Sequence, residues 1–285
     1  MKINEIAKSI RTSFNPIPTG EFATVTWDIM AQMIQGAYEN RIWLPDYWKI
    51  GDSRTVHINE IPVDDSKYAQ RHTEQDVTFT ILDFNKDQLA IPYNKEHWCS
   101  VVTIGMTTPL AETYNIQNYK IPNSNEYVKT SDVHYDGSIY QQWCNENLFN
   151  ALPQGLKNLA KEVIHPNFYY SIYSESWSSS SISRSSRTLM STTNEKCWFY
   201  EYGDIYDGIK DYKENDGYYP VMYTYFKNPD SKIILDNRNI TDRVFTRSEQ
   251  YYVYRTYNTK YLYFQHLGAK CNEFLDQYVA CVLAL

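Results

Sequence analysis

Val77-Thr78-Phe79-Thr80-Ile81-Leu82-Asp83-Phe84-Asn85-Lys86-Asp87 is the stretch whose reading decides the fold class. Val77, Phe79 and Ile81 alternate with threonines, which is the two-residue repeat of a strand with one buried face. Asp83, Asn85 and Asp87 then close it with side chains that favour turns. Upstream, Ile29, Met30, Met33, Ile34 and Ala37 recur at helical spacing from about Thr26 to Tyr38. Thr24 or Thr26 can cap that helix, and Asp28 suits its positive end.

Further strands are expected at Arg54–Glu60, Trp98–Ile104, Lys196–Tyr202, Val221–Phe226, Tyr251–Tyr257, Lys260–Gln265 and Tyr278–Leu283. Ile139, Trp143, Leu148 and Leu152 fit one helix. Pro153 opens another carrying Leu156, Leu159, Ala160 and Val163. Ile3, Ile6, Ala7, Ile10 and Phe14 predict a short amphipathic helix over residues 2–13, ended by Pro16 and Pro18. No repeated βαβ unit and no solenoid period emerges. The expectation is an α+β fold, irregular, with mostly antiparallel strands and a few short helices. Residues 1–22 read as an anchoring helix and linker, and 23–285 as one α+β domain. Within that domain, 171–191 holds 11 serines in 21 residues and reads as a solvated loop, ahead of a Tyr-rich strand region over 196–285.

The chain has 285 residues, a formal charge of −7 and 27 tyrosines. Aromatics at 16% exclude a disordered chain. A pI near 5.4 argues against binding nucleic acid by bulk charge. No apolar run is long enough to span a bilayer, and Met1–Glu5 does not open a secretory signal. Five widely spaced cysteines without a C-x-x-C pair suggest free, mostly buried thiols made in a reducing cytosol.

Phosphate-loop, dinucleotide, zinc-peptidase and serine-hydrolase motifs are all absent. Asp83, Asn85 and Asp87 alternate as ligands do in calcium loops. An EF-hand needs Gly at the sixth position and Glu at the twelfth, where Gln88 and Asn94 stand. The simpler reading of these three is a strand-ending turn. Asp132, His134 and Asp136 would share a face if extended, but Gly137 favours a turn. His97 and Cys99 have the residue types of a nucleophile pair and lack an evident orienting carboxylate. Asp204, Asp207, Asp211 and Glu214 offer paired carboxylates for cleaving a polymer, a chemistry that solvated acidic runs share only in appearance.

The tyrosines are the strongest compositional signal. Residues 200–263 hold 14 of the 27. Tyr251, Tyr252, Tyr254, Tyr257, Tyr261 and Tyr263 are the candidate surface-contact aromatics. Rings of this kind can stack on sugars and anchor protein partners, while the plain alternative is strand preference. No catalytic residue, metal ligand or cofactor is assigned.

Several pieces share a pattern: Trp27, Gly36 and Gly51-Asp52, then Asp83-Phe84-Asn85 with Asp87. Trp143, Leu148-Phe149, Leu152-Pro153 and Leu156 follow, then Thr246-Arg247-Ser248 and the final strand after Gly268. From about residue 24 onward this order resembles an uncharacterised domain family common in bacteriophages and prophage-bearing bacteria. The Ser-rich and Tyr-rich segments depart from it, and Val244-Phe245-Thr246-Arg247-Ser248 replaces an aromatic-Leu-Arg-Ser ending. The closing pattern is similar to C-type-lectin-like folds, including the formylglycine-generating group, whose catalytic cysteines have no counterpart here. The resemblance implies a virion or prophage context with no established biochemical role, and the expectation set on it is a non-enzymatic virion structural protein, in the tail, baseplate or capsid surface. Its partners would be copies of itself, other virion proteins and a host surface glycan or protein, with no nucleic acid and no membrane. It would be made in the host cytoplasm. The alternatives are a carbohydrate-binding module carried by the particle and a cell-envelope-degrading enzyme.

Overall fold

Thr26 holds extended backbone and its hydroxyl accepts the N–H of Ile29, so the first helix starts where the capping residue stands. In this computed structural model the described residues are 16–67, 69–114, 136–137, 139–174, 184–200, 222–228, 245–254, 260–266 and 277–285. The elements are α1 (Trp27–Tyr38), β1 (Ser53–Ile58), β2 (Gln75–Asp83), β3 (Thr103–Met106) and β4 (Thr113–Tyr114). Then come α2 (Ile139–Gln142), a π-helical turn (Trp143–Leu148), α3 (Phe149–Ala151) and α4 (Gln154–Leu159). The rest are β5 (Val163–Ser174), β6 (Arg184–Glu195), β7 (Trp198–Phe199), β8 (Phe245–Tyr254), β9 (Lys260–His266), β10 (Gln277–Tyr278) and β11 (Cys281–Ala284).

A five-stranded antiparallel sheet, ordered β1-β2-β3-β11-β7, carries the core. Val77, Phe79 and Ile81 of β2 are buried, as their alternation requires. Every residue of β11 is buried, because it lies between β3 and β7 and is covered on both faces. Gly105 on β3 lets two neighbours approach closely. A Cβ there would stand 2.1 Å from the Tyr200 hydroxyl and 2.6 Å from Leu82 Cδ1. The Tyr200 hydroxyl is in turn satisfied by the carbonyl of Met106 at 3.0 Å. On the far side of the core, Trp27 of α1 packs against Gly155 of α4, where a Cβ would reach 2.4 Å from its ring. The Arg54 guanidinium lies 3.9 Å from the Trp27 ring centroid.

A second sheet, ordered β6-β5-β8-β9, is antiparallel except where β5 runs parallel to β8. Strands and short helices thus mix irregularly in mostly antiparallel sheets, an α+β architecture.

Several expectations need correction. The serine-rich run contributes 171–174 to β5 and 184–191 to β6, paired antiparallel, instead of forming a loop throughout. A ladder needs backbone N–H and C=O groups, which serine supplies as well as valine does. Val163 begins β5 instead of ending a helix, since the helical path stops at Ala160. Residues 98–102 form no strand; Cys99 makes only an isolated bridge to Gln88. Around Tyr223, a strand is replaced by a 3₁₀ turn (Thr224–Lys227). The last expected strand is split into β10 and β11. The helix expected over 2–13 lies outside the described residues.

Candidate functional site

The Asp83–Asp87 turn is a densely hydrogen-bonded polar feature. Asn85 adopts φ 52°, a left-handed conformation that asparagine tolerates and that turns the chain sharply. The turn throws both carboxylates back onto the protein. Asp83 Oδ1 accepts the N–H of Phe84 at 3.0 Å, and its Oδ2 accepts both the N–H and the hydroxyl of Thr224. Asp87, buried, accepts the Tyr223 hydroxyl at 3.0 Å on one oxygen and the Thr103 hydroxyl on the other. Lys86 places its ammonium 3.9 Å from the Tyr223 ring centroid. One turn therefore grips two consecutive residues of a segment far along the chain.

That grip gives both carboxylates a structural role in this turn. Three of the four carboxylate oxygens are used by hydroxyl or amide donors of other segments, leaving an arrangement built for clamping. No group of three or more His, Cys, Asp or Glu among the described residues is placed to hold a metal ion.

The other sequence candidates separate. Burial raises the pKa of the Cys99 thiol, and the nearby Asp87 charge adds to that, which is opposite to what a nucleophilic thiolate needs. His97 is held in its loop by its backbone N–H, given to Asn94 Oδ1, and its ring lies edge-on to Tyr38. Asp136 is exposed beside Gly137, whose φ is 74°. Asp132, His134, Asp204, Asp207, Asp211 and Glu214 lie outside the described residues. Tyr251, Tyr252 and Tyr254 fall on β8 and Tyr261 and Tyr263 on β9, while Tyr257 lies outside the described residues. Register pairs Tyr252 with Tyr261 and Gln250 with Tyr263. Positions 252, 254, 261 and 263 thus share one side of the ladder, and 251 the other.

An exposed apolar surface missed by sequence reasoning is carried by loop 91–98. Ile91 is 83% exposed and Trp98 57%, yet the loop beneath them is tied down. Asn94 Oδ1 accepts the N–H groups of Glu96 at 2.8 Å and His97 at 2.9 Å, and its amide donates to the carbonyl of Tyr38. Tyr93 stacks on Tyr38 with ring centroids 4.6 Å apart, and Asn40 donates to Glu96 at 3.1 Å. The Trp98 indole N–H is spent on the carbonyl of Lys95, so its exposed surface is apolar ring. Trp43, at 57%, and Tyr47 are further exposed aromatics, located where α1 gives way to β1. The available signal was a large apolar residue beside proline in a polar stretch, as in Ile91-Pro92.

Comparison with protein-family models, with curated proteins and with solved structures finds no match for this chain.

Proposed function

We propose that this chain is a non-enzymatic structural component of a bacteriophage particle, of the tail, baseplate or capsid surface, acting through aromatic contact surfaces. The observation that carries the reading is the anchored loop 91–98. It holds Ile91 and Trp98 in solvent on a backbone fixed by hydrogen bonds, so little ordering entropy is lost when a partner covers them. The motif resemblance supplies the virion context and, with it, a C-type-lectin-like version of the α+β fold. The carboxylates of the Asp83–Asp87 turn serve architecture in this reading, consistent with their donors. Mass spectrometry of purified particles tests it: the chain is expected at stoichiometric abundance, and its absence from particles would overturn the proposal.

A second reading has its own support. An exposed indole ring whose N–H is already bonded suits stacking against a sugar. In that case the isolated protein binds a host cell-wall or capsular glycan on an array, and Trp98→Ala abolishes the binding.

A further inference from the structure

Four sulfur atoms from four separate segments meet in the core. Cys144 Sγ lies 3.6 Å from Cys197 Sγ, and Cys281 Sγ lies 3.4 Å from Met106 Sδ. The Cys197 and Cys281 thiols are near enough to influence each other's ionisation. All four residues are fully buried. Since no group of three such side chains among the described residues is arranged to hold a metal, the chemistry left to this cluster is that of its thiols.

We propose that Cys144 and Cys197 are a latent disulfide pair, free in a reducing environment and joined when the protein meets an oxidant such as hydrogen peroxide. The sulfurs are in contact, and bonding them needs an approach of about 1.5 Å. Both backbones are placed to give that distance. Cys144 sits in the π-helical turn, where the hydrogen-bond ladder is already widened, and Cys197 sits in the bend between β6 and β7. Cys281, by contrast, is locked in β11, so the competing Cys197–Cys281 bond has one immobile partner. Asn145 supplies independent support. Its Oδ1 accepts the backbone N–H groups of Lys196 at 3.2 Å and Cys197 at 3.5 Å, and its amide donates to Glu195 at 3.2 Å. The residue next to Cys144 is therefore bonded to the residues around Cys197, which keeps the two sulfurs facing each other.

The reaction balances in two steps. One thiol, as thiolate, attacks hydrogen peroxide and becomes a sulfenic acid, releasing water after proton transfer. The second thiol then displaces that hydroxyl, forming the S–S bond and a second water. Two thiols lose two electrons and two protons, and one peroxide is reduced to two waters. Burial raises the pKa of both thiols, so the folded protein reacts slowly.

The test is peptide mapping of the full-length protein by mass spectrometry, without reductant, before and after peroxide treatment. A linked Cys144–Cys197 peptide, two hydrogens lighter than its reduced parts, is expected, together with loss of alkylation at both residues in denaturant. The oxidised protein should also unfold at a higher temperature than the reduced one. Cys281→Ala should keep the link, and Cys144→Ala should lose it along with the gain in midpoint. If Cys144→Ala does not fold, the wild-type peptide map decides alone. A Cys197–Cys281 link, no link at all, or a link that leaves the midpoint unchanged would each overturn the proposal.

Discussion

Asp83 receives both the backbone N–H and the hydroxyl of Thr224 on a single carboxylate oxygen, each at 3.0 Å. A carboxylate that accepts two donors from one residue fixes that residue's backbone and its side chain together. Here it binds the end of β2 to a turn 141 positions later in the chain. Asp83→Ala removes both bonds at once. We expect a loss of about 1.5–3 kcal/mol, since hydrogen bonds to charged groups sit at the upper end of the usual range. Thr224→Val removes only the hydroxyl bond and should cost less. Urea denaturation checks this: the midpoint should fall in that order with the slope unchanged.

Gly105→Ala tests the close packing of β3. The new methyl would collide with the Tyr200 hydroxyl and with Leu82, and overpacking of this kind costs about 1–3 kcal/mol. Adding Tyr200→Phe removes the nearest atom. Thermal unfolding of the double variant should therefore show less destabilisation than the two single changes summed.

His72 gives the fold a pH dependence of defined sign. It is buried beside Trp143, and burial lowers its pKa from the ordinary 6.5 to about 4. The charge of Glu112, whose Oε2 is 3.9 Å from Nδ1, opposes part of that shift. Between these two values the unfolded chain holds more protons than the folded one. The stabilisation from a neutral His72 is therefore complete above pH 6.5, declines as pH falls, and levels off near 4. The span amounts to roughly 3 kcal/mol. His72→Leu should flatten the stability curve across that window, as measured by urea unfolding at a series of pH values.

Trp98→Ala separates surface from core. Trp98 is more than half exposed, so the change should leave stability within about 0.5 kcal/mol of wild type. Binding to particle proteins or to glycan, read by surface plasmon resonance, should fall. Trp198→Ala, at a fully buried position, would instead cost about 3–5 kcal/mol.

What could be read from the sequence follows from how local each signal is. The Thr26 cap, the apolar stripe of α1 and the alternation of β2 are set by neighbours a few residues away, and all three were legible. The helical run broken at Pro153 was legible too, although its π-helical turn was not. The short-range pattern around Tyr223 suggested a strand, and a carboxylate from β2 overrode it. The serine-rich strands were hidden because their pairing depends on a partner's backbone and not on an apolar face. Likewise, Asp83 and Asp87 were legible as a strand-ending turn, but nothing nearby in sequence reveals that Thr224, Tyr223 and Thr103 are their donors.

β11 fixes an order of events during synthesis. The Tyr38 hydroxyl donates to the carbonyl of Leu285 across 247 positions, and Cys281–Ala284 fills the gap between β3 and β7. While the ribosome is still making the middle of the chain, β1, β2 and β3 can already pair, but the edge of β3 stands open and β7 has no sheet to join. The nascent protein therefore carries an unpaired β3 edge until β11 emerges, and the sheet closes only after the long intervening chain has been made.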